Sequence, residues 1–576
     1  MNDFETRTSS NLALGVLVIV AVGSPWLFGA VQPWAILAMT TTGLVVSAIA
    51  LAAGVVRGGT ARPAVPLWPL IGFAALGLLQ LVPLPAAAHA IVAPGTHAIW
   101  HPAEAAAVAV LGGGAHPVSL DPDSTLRSLS LVVALGLLAF LAAPALARPG
   151  PAVAAMTTVA AGGFLLSAYA IFARARFGPL LYGRFVVPTV TPFGPFVSKN
   201  HFAGYVVMAA LLATGLAIGL AQDARRRHRD WTASPRAGVI VLAMVAAVAM
   251  ALAGLASLSR GGAIALFAGG ASLLALVLRA REGKGRAGAA YVLAIAGVLG
   301  LVLVVLVPPA THERLQTLGG ASFRLATWRD ALRMSLTSPV VGQGLGAFHD
   351  AYPRFKREHG LIRVEHAEND YVETLAETGL VGLVLVLAGG GLVLTGASRR
   401  LLSRSNRHGL LVRGVGMGAV AGLIALAVHS AVDFNLRIPS NAALAAVLAA
   451  AAAGAAGLAK RPLPRPGGAA LALGALALLA AVLALPAEPW VDALDEARRA
   501  GVAATPEARA LRLERSDAAL VRVLRRRPAH AESWLVLAGV RAAVGDAAIA
   551  SVLARHAVTL DPERPALSQA ARALER

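Results

Sequence analysis

The sequence predicts an all-α, polytopic membrane bundle followed by a small helical domain. Of its 576 residues, 57% are hydrophobic and only 14% are charged, and the mean hydropathy is +0.69. Soluble proteins carry roughly 25% charged residues, and disordered chains are much less apolar. The apolar residues also occur in long runs, and a helix needs about 20 of them to cross a bilayer. An ordinary soluble protein is therefore excluded.

About thirteen apolar runs are long enough to be candidate spans. They assign residues 1–486 to a transmembrane domain with one long loop at 308–377, and they leave 487–576 as a separate tail. In chain order the runs lie near residues 11–30, 33–56, 65–82, 126–147, 151–173, 201–221, 237–257, 262–278, 287–307, 378–397, 412–432, 440–459 and 468–486.

Lysine and arginine residues are concentrated in alternate loops, and this distribution predicts the orientation. Loops on the cytoplasmic side carry an excess of these residues. With a cytoplasmic N-terminus, all six loops on the inner side are basic, whereas segment 83–125, on the outer side, contains neither residue. This asymmetry accounts for much of the net charge of +20, so a nucleic-acid partner is not expected. Loops 174–200 and 308–377 and the tail are then extracytoplasmic.

The tail resembles a tetratricopeptide repeat. Acidic and basic residues nearly balance from Glu488 onward, and the apolar runs break up. Trp534 lies near the start of a helical pattern, and Pro528 precedes Pro562 by 34 residues, the period of that repeat. A tail with only one or two such repeats cannot bury its apolar faces alone. We therefore expect the tail to dock on another surface. A plain helical hairpin is the alternative interpretation.

The long loop at 308–377 contains candidate residues for chemistry, because loops of this length without a role are uncommon. Its segment Gly342–Phe348 has glycines at alternate positions, which let a backbone turn closely over the bundle. Its end, Glu365–Tyr371, leads directly into a span. A neutral histidine there, His366, can accept a proton from a hydroxyl group at ordinary pH. The alternative is a histidine that only makes a local hydrogen bond.

If this last stretch is helical, His366, Asn369 and Asp370 share one face of the helix. Cations lie at other predicted outer ends of spans. Arg260 lies in the tight turn Ser257–Gly262, where a guanidinium has a defined position and matches phosphate oxygens. Snorkelling to the interface is the alternative for such cations. The other candidates in the outer loops are Arg184, Lys199, Asn200, Arg324 and Arg437.

Several kinds of active site are excluded. The chain has no cysteine, so it has no disulfide, thiolate nucleophile or cysteine-held metal. It also has no Gly-x-Ser-x-Gly nucleophile motif, Walker loop or His-Glu-x-x-His motif. The cation-rich outer face lacks a comparable set of metal ligands, so we expect neither a metal nor another cofactor in the reaction.

Four segments, taken in the order in which they occur along the chain, resemble the O-antigen ligase and polymerase superfamily of bacterial envelopes. The resemblance covers about residues 195–440 and rests on Lys199–Ala203, Ser257–Gly262, Gly342–Phe348 and His366–Gly382. Members transfer or polymerise glycans carried on undecaprenyl diphosphate at the periplasmic face of the inner membrane. They have a helical fold of the C-type glycosyltransferase kind and need no metal, and some polymerase-type members have tetratricopeptide tails.

The resemblance implies roles for the candidates. Arg260 would bind the lipid-linked diphosphate with help from Lys199 and Arg184, offsetting the charge of the leaving group. His366 would deprotonate the acceptor hydroxyl. Many members have a histidine directly before the asparagine, but this chain has Glu368 there, so either His366 or Glu368 could be the base; His366 is favoured. Supporting roles would fall to Asn200, Asn369, Asp370, Arg324 and Arg437.

The resemblance therefore implies an inverting, metal-independent glycan polymerase or ligase with a lipid-linked donor and a glycan or lipid-linked acceptor. Membrane lipids and polysaccharide-assembly proteins bound by the tail are expected partners. The tail favours polymerisation over transfer to lipid A, and the sugar, the linkage and the acceptor stay open. A transporter or flippase is one alternative, although it would place charges within its spans, and those from 237 to 307 have almost none. A non-catalytic scaffold is the other.

Overall fold

The protein is described by a computed structural model over residues 2–56, 67–188, 190–228, 230–282, 319–358, 362–403, 408–458, 464–485, 489–502 and 505–574. These residues form α-helices joined by turns, with no β-strand among them, which confirms the all-α prediction. In chain order the helices are α1 (Asn2–Gly23), α2 (Pro33–Val56), α3 (Leu67–Leu81), α4 (Ala86–Val92), α5 (Pro94–Trp100), α6 (Ala105–Leu111), α7 (Pro122–Leu146), α8 (Pro149–Phe177), α9 (Lys199–His228), α10 (Ala237–Ala256), α11 (Arg260–Glu282), α12 (Gly319–Thr337), α13 (Phe348–Ala351), α14 (Asp370–Leu402), α15 (Leu410–His429), α16 (Pro439–Ala455), α17 (Arg465–Leu483), α18 (Pro489–Gly501), α19 (Pro506–Leu524), α20 (Ala531–Ala543), α21 (Ala547–Leu560) and α22 (Pro565–Leu574).

Ten helices in the described ranges are long and apolar enough to cross a membrane, which confirms a polytopic membrane protein. Two further predicted spans correspond to shorter apolar helices, α3 and α16, and the predicted span at 287–307 lies outside the described residues. The ten helices are α1, α2, α7, α8, α9, α10, α11, α14, α15 and α17.

The chain forms two compact units, each assembled from three separated segments. The first unit comprises Met1–Ile71, Ser130–Gln316 and Val386–Ala480. The second comprises Gly72–Leu129, Thr317–Leu385 and Ala481–Arg576. The division into residues 1–486 and 487–576 stays a prediction.

Helix α9 is the central element of the first unit. It is buried over most of its length and packs against α8, α10, α11, α15 and α16. Gly215 and Gly219 of α9 lie against Gly414 and Gly418 of α15, and a Cβ added to Gly215 would lie 2.5 Å from the Gly414 carbonyl oxygen. Small residues four positions apart allow helix backbones in membranes to approach this closely. These glycines therefore fix the contact between the two helices.

The second unit has an apolar core to which all three of its segments contribute. Trp100, Phe348 and Trp534 are each at most 2% exposed and belong to this core. Trp534 comes from the tail, whereas Trp100 and Phe348 come from segments 72–129 and 317–385. The expectation that the tail docks on another surface is thus confirmed. Its assignment to the tetratricopeptide repeats stays a prediction.

Candidate functional site

Arg260 is the first residue of α11, directly after a tight turn. Within this turn, the Ser259 backbone N–H donates to Ser257 Oγ at 3.3 Å, and the Gly262 N–H donates to Ser259 Oγ at 3.2 Å. Leu258 has a φ of 57°, in the left-handed region. The serine side chains thus cap the start of the helix and hold the turn. The Arg260 side chain is exposed, and no ion-pair partner for it lies within the described ranges.

Close packing brings this turn to the same end of the first unit as the start of α9. A Cβ added to Gly262 would lie 2.6 Å from Ala203 Cβ, and one added to Gly261 would lie 2.8 Å from His429 Cδ2. The turn that holds Arg260 therefore borders the segment that begins at Lys199. The turn at Arg260, the start of α9 and the end of α15 therefore meet at one end of the helix bundle.

Lys199 begins α9, and its backbone N–H donates to the Thr191 carbonyl oxygen at 2.8 Å. The next backbone N–H, that of Asn200, donates to Ser198 Oγ at 3.3 Å. Both residues are half-buried. The hydrogen bonds anchor the preceding loop to the helix, which positions the lysine at the helix start.

A buried polar cluster lies beside these residues. His201 Nε2 lies 3.3 Å from Asp433 Oδ1, and His429 Nε2 lies 3.9 Å from Asp433 Oδ2. Asn441 Nδ2 donates to the His201 carbonyl oxygen at 3.0 Å and to Asn435 Oδ1 at 2.8 Å. The cluster ties the start of α9 to the turn between α15 and α16. No local sequence pattern indicates that Asp433 pairs with His201.

Two cationic candidates of the first unit lie in turns. The exposed Arg184 follows Gly183, whose φ is 69°, and its guanidinium carbon lies 5.7 Å from the ring centroid of Phe185. Arg437 ends the 3-10 turn Asn435–Arg437 and is half-buried. The turn that holds Arg437 therefore adjoins the buried polar cluster through Asn435.

In the second unit, His366 is paired with a buried carboxylate. Its Nδ1 lies 2.8 Å from Glu373 Oε1, and the Ala367 backbone N–H donates to Glu373 Oε2 at 2.8 Å. Glu373 is 1% exposed, whereas the His366 side chain is 34% exposed. A carboxylate held in this way favours the tautomer that carries its proton on Nδ1. The lone pair is then on Nε2.

Glu368, the other candidate base, is held by a cation. Arg324 Nη2 and Nε lie 3.1 and 3.3 Å from Glu368 Oε2. Glu368 has a φ of 55°, so the backbone bends sharply just before the helix. An adjacent guanidinium favours the charged carboxylate, and a stabilised carboxylate is a weaker proton acceptor.

The stretch from His366 to Asn369 is a bend, so the conditional prediction of a shared helical face is wrong. Helix α14 begins at Asp370, and Asn369 Oδ1 accepts the backbone N–H groups of Tyr371 and Val372 at 3.0 and 3.1 Å. Asparagine caps a helix N-terminus because its side chain satisfies backbone donors there. Asp370, the first helical residue, is 2% exposed.

The glycine-spaced segment makes the close backbone approach that its sequence predicts, against the start of α14. Gly342 has a φ of 73°, and a Cβ there would lie 2.3 Å from the Glu377 backbone. Gly379, with a φ of 63°, kinks α14 where it meets Val340. Only glycine adopts these conformations in so little space.

The structure therefore groups the candidates in two sets, each within one unit. The pairing of the sets around one substrate stays a prediction. The residues that sequence reasoning missed are Glu373 and Asp433, which orient histidines from other positions in the chain. The first set contains Arg184, Lys199, Asn200, Arg260 and Arg437, and the second contains Arg324, His366, Glu368, Asn369 and Asp370.

The fold and these groups define a polytopic membrane protein with cationic and histidine–carboxylate candidates near the ends of apolar helices. Residues 245–387 match the family model described as O-antigen ligase, from α10 through the turn at Arg260 and the bend at His366 to α14. The match confirms the resemblance to the O-antigen ligase superfamily and supports a membrane ligase or polymerase kind of function. No curated protein matches the chain significantly.

Proposed function

We propose that the protein is an inverting glycosyltransferase of the bacterial inner membrane that polymerises or ligates glycans at the periplasmic face. Its donor is a glycan on undecaprenyl diphosphate, and its acceptor is a sugar hydroxyl. The observation that carries this proposal is the 2.8 Å pairing of His366 Nδ1 with the buried Glu373, inside the segment that matches the O-antigen ligase family. Such a pair is suited to general base catalysis.

In the proposed reaction, the acceptor hydroxyl gives its proton to His366 Nε2. Its oxygen attacks the anomeric carbon as the bond from that carbon to the diphosphate oxygen breaks. The lipid diphosphate leaves with the bonding electrons, and the configuration at the anomeric carbon is inverted. Glu373 accepts the hydrogen bond from Nδ1–H, which holds the ring in place and stabilises the imidazolium that forms.

Cations would stabilise the leaving diphosphate, as a metal does in other enzymes. Arg260 is suited to this role, because the capped turn fixes its backbone and its guanidinium is exposed. A planar guanidinium can donate two parallel hydrogen bonds to phosphate oxygens. Lys199 and Arg184 would add positive charge beside it, and Asn200 and Arg437 would support them.

The ion pair of Glu368 with Arg324 supports His366 as the base. A carboxylate that already accepts two guanidinium hydrogen bonds loses them when it is protonated. His366 keeps its hydrogen bond to Glu373 when Nε2 takes up the proton. Glu368 and Arg324 would instead fix the sharp bend that presents His366, and Asn369 and Asp370 would start the helix behind it.

For the tail we propose a role in holding the product chain or an assembly partner. A groove lies between tail residues and residues 349–356 and 362–364, within the second unit. Charged and polar side chains line it, among them Lys356, Arg363, Glu532 and Arg564. Such a lining suits a hydroxyl-rich chain, and it favours polymerisation over single transfer.

The test is a reconstitution of the purified full-length protein with a defined undecaprenyl-diphosphate-linked repeat unit in the presence of a chelator. We expect a ladder of products, which would establish a polymerase; a single addition would establish a ligase. Arg260→Ala and His366→Gln should each reduce the initial rate by about 10²-fold or more. Arg236→Ala, which changes an exposed arginine before α10, should leave the rate unchanged.

The same experiment separates the alternatives. A transporter or flippase would move the lipid-linked unit across vesicles without forming a glycosidic bond. A scaffold would tolerate Arg260→Ala and His366→Gln in cells that form polymer. Normal polymer in both variants, with normal insertion, would reject the proposed enzyme. Arg363→Ser, at the exposed rim of the groove, should shorten the ladder without changing the first addition if the groove holds the product.

A further inference from the structure

Four histidines of segment 83–125 gather in the second unit. The rings of His97 and His101 have centroids 4.4 Å apart, and the centroid of His89 lies 5.5 Å from that of His97 and 6.0 Å from that of His101. His116 packs on His101 at 5.1 Å. This segment has no lysine or arginine, so the cluster is not explained by a general excess of cationic side chains.

Three of these histidines each present a nitrogen to one point. One ring nitrogen from each of His89, His97 and His101 lies within 4.8 Å of the other two. In a tetrahedral zinc site, Zn–N distances of about 2.0–2.1 Å place such nitrogens roughly 3.4 Å apart. Small rotations of the side chains would close the difference. The spacing of His97 and His101, four residues apart, puts both at the end of α5.

The hydrogen bonds of His89 define its tautomer. Thr96 Oγ1 donates to the Ala93 carbonyl oxygen at 3.2 Å, so it must accept its 2.8 Å hydrogen bond from His89 Nε2–H. The lone pair of His89 is therefore on Nδ1. A second hydrogen bond that fixes the other ring nitrogen is the usual companion of a metal-binding histidine.

One ring nitrogen of each of these three histidines is buried without a hydrogen-bond partner among the described residues. Within the described part of the chain, His89 Nδ1, His97 Nδ1 and His101 Nε2 have no hydrogen-bond partner, and each is inaccessible to solvent. A buried polar atom left without a hydrogen bond destabilises the folded state, and three in one place require an explanation. A bound cation would satisfy all three at once.

We propose that His89, His97 and His101 bind a divalent transition metal, with Zn²⁺ as the best match. Imidazole ligands suit zinc, copper and nickel rather than magnesium or calcium. Three histidines leave one coordination position for water or another ligand. The metal would link α4 to α5, two helices of seven residues each that are too short to be stable alone. This proposed metal site is independent of the proposed transfer reaction.

A second group of candidate ligands, Asp121, His349 and Asp350, is not an equivalent site. Arg527 Nε lies 2.7 Å from Asp350 Oδ2 and 3.6 Å from Asp121 Oδ2. The guanidinium already forms ion pairs with both carboxylates. The histidine cluster has no such internal cation among the described residues.

The test uses the full-length protein purified through a tag without histidines and stripped with a chelator. Zinc is added in competition with a chromophoric chelator, and bound metal is counted by elemental analysis. We expect one equivalent of zinc per chain in the wild type. His97→Gln and His101→Gln should each weaken binding by more than about tenfold. His228→Gln, at the exposed end of α9, should bind as the wild type does.

Cobalt identifies the site directly. Co²⁺ bound to the wild type should give the visible absorption bands of a tetrahedral nitrogen-ligated ion, and His97→Gln should lose them. Circular dichroism and size-exclusion chromatography must show that both glutamine variants remain folded; His89→Gln serves as a third variant if one does not. Absence of stoichiometric zinc in the wild type would overturn the proposal, as would equal affinity in folded variants lacking His97 or His101.

Discussion

Single residues in this protein act through partners that lie elsewhere in the chain. In the proposed reaction His366 depends on Glu373, seven residues later, which accepts the hydrogen bond of its Nδ1. The same carboxylate binds the Ala367 backbone N–H, so it also fixes the bend. Glu368 has the right chemistry for a base, but the Arg324 guanidinium stabilises its charged form.

This difference gives a prediction for two neighbouring carboxylates. Glu373→Gln removes the charge that stabilises the imidazolium, so the initial rate of transfer should fall by about 10²–10⁴-fold. Glu368→Gln removes a half-exposed ion pair and should lower the rate by less than about tenfold. Both are measured with purified protein and a lipid-linked donor. The reverse order of effects would identify Glu368 as the base.

Pairs of elements are held by glycines and by buried charges. Gly342 and Gly379 let the chain before α13 pass against the kink of α14 with almost no space for a side chain.

The tail is held to the other two segments of the second unit by buried charges. Burial alone would raise the pKa of Asp350, but the charges of His349 and Arg527 together hold it below its usual range. Burial and the Asp350 carboxylate raise the pKa of Asp121.

Two adjacent arginines provide a matched test of tail docking. Arg527→Met leaves the buried Asp350 and Asp121 without the guanidinium that pairs with both, so it should destabilise docking by about 3–5 kcal/mol. Arg526→Met breaks an ion pair with Asp123 in which Arg526 is 47% exposed, and it should cost no more than about 1 kcal/mol. Protection of tail amides against hydrogen exchange measures both. Equal protection in the two variants would contradict the assigned role of Arg527.

At the scale of the whole molecule, the second unit joins three segments that are far apart in the chain. Its core has apolar residues from each segment, and the unit also buries polar groups such as Asp350 and His530. His530, near the start of α20, is one of these groups, and its Nδ1 pairs with Ser533 Oγ at 2.7 Å. Burial lowers the pKa of His530 to about 4, although Asp350 and Glu532 oppose this effect.

The depressed pKa predicts that the second unit loosens in acid. Between pH 6.5 and about 4 the unfolded chain binds a proton at His530 that the folded chain does not, so stability rises with pH across this range. The contribution of His530 is complete above pH 6.5, and up to about 3 kcal/mol of it is lost as the pH falls toward 4. Hydrogen exchange of the tail at several pH values measures this.

His530→Asn is the matched variant, because asparagine keeps a hydrogen-bonding group but does not titrate in this range. The pH dependence of tail protection should be weaker in this variant than in the wild type. An unchanged dependence would assign it to other titrating groups of the unit.

The sequence alone was sufficient to predict the helical membrane architecture and to identify the motif residues. Helices satisfy their backbone hydrogen bonds within about four residues, and hydropathy is read over about 20, so both are local properties. The pairing of His366 with Glu373, the cation bound by Asp350 and the gathering of His89, His97 and His101 could not be read in this way. Each depends on how a loop bends or how distant segments pack, because partner atoms must come within about 3 Å, and no local pattern specifies that distance.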